Sequence, residues 1–196
     1  LKKSGHEKVY LLAHSMGGAI GMTYIEQNTS DFDAAAFSSP MLGLPPPSCT
    51  AVKLMVGKDP KYAMGEHKYH DDKIAFKDNK LTGSEFRYNR MNEAFAKEPK
   101  ARLGGATYQW VYKSCQQFLY MNENIENIQT PFILFSAENE QIVNVKAQQS
   151  FVEKAQKLGK DCKAFVVEDA QHELLIEKDE QRIETINESL DFYKKY

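Results

Sequence analysis

A serine among very small residues, a glutamate in a turn and a late histidine are the side chains here whose types and order could carry out covalent chemistry. Ser15 lies in Ala13-His14-Ser15-Met16-Gly17-Gly18, directly after a mostly apolar run over residues 8–13. That context reads as a nucleophile elbow, a sharp strand-to-helix turn that exposes the serine hydroxyl. The usual pattern is Gly-x-Ser-x-Gly, because the positions two before and two after the serine crowd each other; here they are Ala13 and Gly17, a departure at the first. A serine hydroxyl is a poor nucleophile near neutral pH and needs a base, which in turn needs an orienting acid. His172, in the loop after an apolar run at 163–167, is the candidate base. Glu140, three residues before Val143 and just after the run 131–136, is the candidate acid. Glu138 is the alternative acid, and Asp169 fits less well because it shares the loop of His172. His6 precedes the first strand, His14 adjoins the serine, and His67 and His70 lie in a polar stretch, so none is as well placed as His172. The backbone N–H of Met16, next to the nucleophile, is the candidate oxyanion donor.

Positioning these groups requires strands that end in loops on one side. Four short apolar runs meet that need: 8–13, 34–38, 131–136 and 163–167. The first, with no turn former, reads as a strand buried on both faces. Helical stretches are expected at 16–27, at 146–158 with Gly159 ending it, and at 180–193. In the last, Ile183, Ile186, Leu190 and Tyr193 have core-facing spacing and Asp179 is the expected cap. Strand alternating with helix implies a parallel sheet flanked by helices. Three segments follow: a core with the elbow at 1–43, an insertion at 44–127 and a core with the acid and histidine loops at 128–196. The insertion opens on Pro45-Pro46-Pro47 and reads as a helical cap rather than sheet. Its helices are expected at 85–97 and 107–121, the second with Tyr108, Val111, Tyr112, Cys115 and Leu119 along one side, and Trp110 and Phe118 are expected in the cap's own core.

Composition narrows the function classes. The 196 residues suffice for one sizeable core, and a net charge of -2 supplies no basic field for nucleic acid. No apolar stretch approaches membrane-spanning length, and Leu1-Lys2-Lys3-Ser4 lacks the apolar middle of a signal peptide. The three cysteines, Cys49, Cys115 and Cys162, are odd in number and widely spaced, which reads as packing residues in a reducing compartment. His67, His70, Asp71 and Asp72 have no spacing that specifies a metal and read as a solvated loop.

The order Ser15, Glu140, His172 is the order of an α/β-hydrolase triad. The chain resembles the monoglyceride-lipase-like branch of that superfamily, most of all the bacterial lysophospholipases. The resembling stretches are residues 12–20 at the elbow, 102–111 in the insertion (Arg102-Leu103-Gly104-Gly105-Ala106-Thr107-Tyr108-Gln109-Trp110-Val111), 137–140 and 170–179. The resemblance implies the C-terminal part of an α/β-hydrolase fold, with a preceding portion that completes the sheet and gives the second oxyanion donor. The chain alone is then expected to be a weak enzyme, since losing one such donor costs roughly a hundred- to a thousandfold in turnover. It is also expected to fold poorly, with its first strand an exposed edge. The implied activity is hydrolysis of the acyl ester of lysophospholipids through an acyl-enzyme. No metal or organic cofactor is needed, and the expected location is cytoplasmic, peripheral to the inner membrane. A monoacylglycerol lipase or general carboxylesterase is the nearest alternative, a non-catalytic binding module on the same fold the second. A peptidase has no group here to recognise a peptide terminus.

Overall fold

A computed structural model describes residues 5–50, 52–70 and 74–196. Residues 1–4 and Asp71 and Asp72 lie outside the described residues, so the readings made on them have no structural counterpart.

Strands β1 (Tyr10–His14), β2 (Ala34–Ser38), β3 (Phe132–Ala137) and β4 (Cys162–Val167) form a parallel sheet in sequence order. Adjacent parallel strands need a crossover. Here α1 (Ser15–Gln27) joins β1 to β2, the long segment with α2 (Val52–Met55), α3 (Glu85–Lys97) and α4 (Tyr108–Asn124) joins β2 to β3, and α5 (Val145–Lys157) joins β3 to β4. α6 (Asp179–Tyr193) closes the chain. Between β2 and β3 the described residues hold no strand, only a single bridge of Tyr62 with Thr107.

Alternation along the strands builds two cores, because successive side chains point to opposite faces. Ala35, Phe37, Phe132 and Leu134 face α1, α4 and α5 through Met22, Ile25, Phe118, Met121, Phe151 and Val152. Ala34, Ala36, Ile133 and Phe135 face the other way, toward Leu174 and Phe192. The alanines of β2 are all buried, which lets helices approach the sheet from both sides.

Several expectations change. β1 starts at Tyr10 and lies at the sheet edge, so it is not buried on both faces: Leu12 is 49% exposed. α6 is rotated from its expected face, with Gln181, Thr185, Ser189 and Phe192 buried and Ile183 and Leu190 half exposed. The buried hydroxyls are tolerated because Thr185 donates to the Gln181 carbonyl at 2.8 Å and Ser189 to that of Thr185 at 2.7 Å. Asp179 is the first helical residue rather than the cap, which falls on Lys178. α4 is capped by the Thr107 side chain and buries Val111, Ser114, Phe118 and Met121, leaving Leu119 exposed. Phe118 joins the sheet core rather than a separate cap core, and Trp110 is partly exposed on a groove wall. Cys49 and Cys115 are joined in a disulfide that ties the start of the insertion to α4, leaving only Cys162 free. Their separation of 66 residues hid a pairing that only the α4 packing creates. The cysteine argument for a reducing compartment therefore falls.

Candidate active site

Because all strands run parallel, the segments leaving β1, β3 and β4 emerge at one edge of the sheet, where clefts in open α/β folds lie. Ser15 follows β1 immediately, with φ of 49°, a left-handed backbone that non-glycine residues adopt at a cost. Its carbonyl accepts from the Met41 N–H at 2.8 Å, which holds the turn against the loop after β2. The crowding that demands small residues falls elsewhere than expected. A Cβ on Gly17 would meet nothing within 4 Å, whereas one on Gly18 would lie 2.6 Å from Pro40 Cβ and 2.8 Å from its Cα. Gly21 is the position that faces Ala13, at 3.3 Å.

The expected partners converge on this serine. His172 Nε2 lies 2.9 Å from Ser15 Oγ, and His172 Nδ1 lies 2.7 Å from Glu140 Oε2. The His172 and Glu140 side chains are almost fully buried. Glu140 Oε1 accepts from the backbone N–H groups of Ile142, at 2.7 Å, and Val143, at 3.2 Å, so both carboxylate oxygens are committed. Burial pushes this carboxyl up, but the hydrogen bond and charge of His172 and the two backbone donors outweigh it and hold Glu140 below the usual carboxylate range. Glu138, the alternative acid, instead accepts from the Asp169 N–H at 2.8 Å. Asp169 itself takes a positive φ of 55° in the turn that leads to the histidine. Met16 is the second residue of α1, where backbone N–H groups have no partner within the helix.

Groups outside the sequence reading hold this arrangement. Glu177 is fully buried and accepts from the N–H groups of Gln171 (2.9 Å), Gly83 (2.7 Å) and Lys178 (2.9 Å). The loop bearing His172 is thereby pinned to the insertion, a link reinforced by Glu173 N–H to the Leu81 carbonyl at 2.7 Å and Thr82 Oγ1 to the Ile176 carbonyl at 2.8 Å. Gln148, also buried, accepts from Ser136 Oγ at 2.6 Å and donates to the Pro40 carbonyl at 2.9 Å, bridging β3 to the segment beside the elbow. His14 lies between Ser38 Oγ (3.2 Å) and Glu173 Oε2 (3.3 Å), its ring tilted against that of His172 at 4.9 Å. Burial raises the Glu173 carboxyl, yet contact with His14 and the nearby His172 bring it below its ordinary range. A Glu after the histidine and a His before the serine were the available signals; neither says that the two meet. One ligand atom each from His14, His172 and Glu173 lies within 4.8 Å of the others, the one such grouping among the described residues. Its His172 is already bonded to Ser15 and Glu140. His67 and His70 stand edge to face at 4.8 Å in the insertion, apart from this cluster.

The fold matches solved structures closely. A soluble variant of monoglyceride lipase from Saccharomyces cerevisiae, in complex with a substrate analog, aligns with a TM-score of 0.71 at 19% identity, over 95% of this chain and 64% of that one. The monoacylglycerol lipase of Paleococcus ferrophilus gives 0.71 at 16%, over 98% and 70%. Together with the parallel sheet, this defines an α/β-hydrolase fold. In sequence the chain is 32% identical over 200 residues to Lysophospholipase L2 of Escherichia coli (strain K12), covering 96% of this chain and 58% of that protein. It is 31% identical over 179 residues to Probable lysophospholipase L2 of Haemophilus influenzae, covering 88% and 55%. The chain thus spans somewhat over half the length of these curated relatives. Its residues 1–179 match the Hydrolase_4 family, described as Serine aminopeptidase, S33, and the chain belongs to that family.

Proposed function

We propose that the protein is a serine hydrolase that cleaves the acyl ester of lysophospholipids through an acyl-enzyme on Ser15. The observation that carries this reading is the unbroken chain of contacts from Ser15 Oγ through His172 to Glu140; the names of the sequence relatives support the substrate class.

Groups near Ser15 support the proton transfers this reading needs. Nδ1–H of His172 donates to Glu140, which leaves Nε2 unprotonated and able to accept the Ser15 proton as Oγ attacks the ester carbonyl. The imidazolium so formed lies against a carboxylate already held in its charged form. Charge on the carbonyl oxygen falls to the Met16 N–H at the start of α1, an end of the helix that favours negative charge. The imidazolium then protonates the leaving alkoxide, and water deacylates the serine by the same route in reverse. No metal or organic cofactor enters any step.

β1 is a sheet edge with Leu12 half exposed, which supports the reading that further strands pair beyond it and bring the second oxyanion donor. Residues 44–127 act as the cap between the core segments 1–43 and 128–196. Exposed Leu54, Met64 and Leu103 in the cap support peripheral contact with a lipid surface. No described helix is long and apolar enough to cross a membrane.

The test is hydrolysis of a lysophospholipid by wild-type and Ser15→Ala protein, with labelling by a serine-directed phosphonate. Activity and labelling are expected to disappear together in the variant. Retained hydrolysis by Ser15→Ala would sink the proposal.

A further inference from the structure

The stretch Arg102–Val111, singled out in the sequence, has no part in the triad, yet its first half builds the wall of a cavity. This open cavity, of about 500 Å³, lies within the insertion and is lined by Glu66, His67, Lys68, His70, Arg102 and Gly105, among others. The size is that of a small-molecule site. Its glycines are needed for close approach. A Cβ on Gly104 would come within 3.1 Å of the His67 carbonyl oxygen and Tyr69 N, and one on Gly105 would occupy the place of the Glu66 carboxylate, 1.9 Å from its Oε2. Gly105 N–H also donates to the His67 carbonyl at 2.8 Å, so the two segments are stitched together. Arg102 serves the frame: it donates to the carbonyls of Phe95 (2.7 Å) and Ala96 (3.2 Å) and lies 5.5 Å over the Tyr69 ring. Its charge still contributes to the field of the cavity.

Two features select a ligand. Among the described residues the wall carries both signs, Lys68 and Arg102 against Glu66, beside the paired rings of His67 and His70. His67 Nδ1 is engaged with the Lys68 carbonyl at 2.8 Å, which fixes the ring and turns Nε2 away from that bond. The other feature is location: Leu81 lines the cavity, and its carbonyl receives the N–H of Glu173, the residue after the candidate base. The cavity wall is thereby hydrogen-bonded to the loop that bears His172.

We propose that this cavity binds the glycerophospho head group of the lysophospholipid, with the phosphodiester anion against Lys68, His67 and His70 and the head-group ammonium against Glu66. The proposal rests on the ester-hydrolase reading above and adds the specificity site for it. An ion pair across Lys68 gives a hydrated head group what a monoacylglycerol, which has no phosphate, cannot use.

The test compares lysophosphatidylethanolamine with a monoacylglycerol of the same acyl chain, in mixed micelles, for wild type and a Lys68→Ala/His70→Gln variant. These side chains are solvent-facing, so the variant should fold. KM for the lysophospholipid is expected to rise at least about tenfold, the loss of the Lys68 and His70 contacts, while kcat/KM for the monoacylglycerol stays the same. An equal change on both substrates, or no change on either, overturns the assignment. Binding is read separately by NMR on Ser15→Ala protein titrated with sn-glycero-3-phosphoethanolamine and, in a second arm, with inorganic phosphate. Shifts of the His67 and His70 imidazole signals by the glycerophosphodiester at lower concentration than by phosphate support a head-group site. Equal response marks a generic anion site and overturns it, as does no response. If wild type cleaves neither ester, the hydrolase reading fails on its own, and the titration still decides the cavity.

Discussion

Replacing Glu140 by Gln tests the triad more sharply than removing the serine, because the structure dictates which way the amide must turn. Oε1 of Glu140 accepts from Ile142 and Val143 N–H, while Oε2 accepts from His172 Nδ1–H. A glutamine has one acceptor oxygen and one donor nitrogen. Turning the amide nitrogen toward the backbone would set it against two N–H donors and leave all three unpaired in a buried place, a cost of about 1–3 kcal/mol for each buried group left without a partner. The oxygen therefore stays on the backbone, and the NH₂ faces His172 Nδ1. That ring nitrogen must then become the acceptor and the proton moves to Nε2, which can no longer take the proton of Ser15. The equivalent tautomer error in serine proteases costs about 10⁴-fold in kcat, close to 5.4 kcal/mol of barrier. Steady-state hydrolysis of a lysophospholipid or a p-nitrophenyl ester measures this directly. KM should change little, since the Glu140 side chain is fully buried behind His172. A variant with kcat within about tenfold of wild type would refute the tautomer argument. The same carboxyl also registers in acid unfolding. Its folded pKa is depressed, so its contribution to stability is present above the unfolded value near about 4.3 and is lost as pH falls through the folded value. Glu140→Gln should therefore flatten the acid side of the stability profile.

Three further substitutions probe the supports. Gly18→Ala places a Cβ at 2.6 Å from Pro40 Cβ and 2.8 Å from its Cα, and since backbone cannot yield as a side chain does, stability should fall by roughly 1–3 kcal/mol with a parallel loss of activity, read by urea unfolding and ester hydrolysis. Glu177→Ala strands the part-buried N–H groups of Gln171 and Gly83, and should cost about 1–3 kcal/mol and lower kcat by releasing the residue before His172; an unchanged melting temperature would contradict this. Glu26 is buried with neither carboxylate oxygen paired, and burial pushes its pKa up to about 8. A raised carboxyl favours folding below its unfolded pKa and loses that advantage as pH rises through the folded one, so wild type should fall behind Glu26→Gln by up to roughly 5 kcal/mol between pH 4 and pH 8. Parallel stability curves for the two proteins over that range would refute an ionising Glu26.

How much was legible in the sequence follows from the kind of signal each feature leaves. β2 and α3 fall at their expected bounds, and the other core elements within about two residues, because apolar runs and caps are local signals. Ser15, Glu140 and His172, which the structure brings into contact, could be singled out for a related reason: Ser15 directly follows a strand and the other two sit one short loop beyond one, so finding the strand nearly places the residue. The failures are of a different kind. Ile183 and Leu190 suggested the wrong face of α6, because the true one is lined by Thr185 and Ser189, whose hydroxyls bond within the helix and read as surface residues in any apolar pattern. The disulfide and the rotation of α4 depend on packing between segments far apart in the chain.

The same distinction explains why the groups that steady the candidate base escaped notice while His172 did not. A catalytic residue must meet its partner at one point, and its loop can be named from the strand before it. Glu177, by contrast, works by gathering N–H groups from Gly83, Gln171 and Lys178, and Gln148 by joining β3 to the Pro40 carbonyl. Neither has a spacing that sets it apart from a solvent-facing Glu or Gln on a helix. Burial gives them their role, since an N–H sealed from water must find an acceptor and a carboxylate there must find donors. His172 is therefore held at both ends by chemistry that only the folded chain assembles: Glu140 fixes its ring, and Glu177 fixes the backbone that carries it. The loops that carry Glu140 and His172 are also tied to each other, by Glu138 N–H to the Val167 carbonyl and Asn139 N–H to that of Ala170. Losing either carboxylate should thus impair the same proton transfer, through the tautomer in one case and through position in the other.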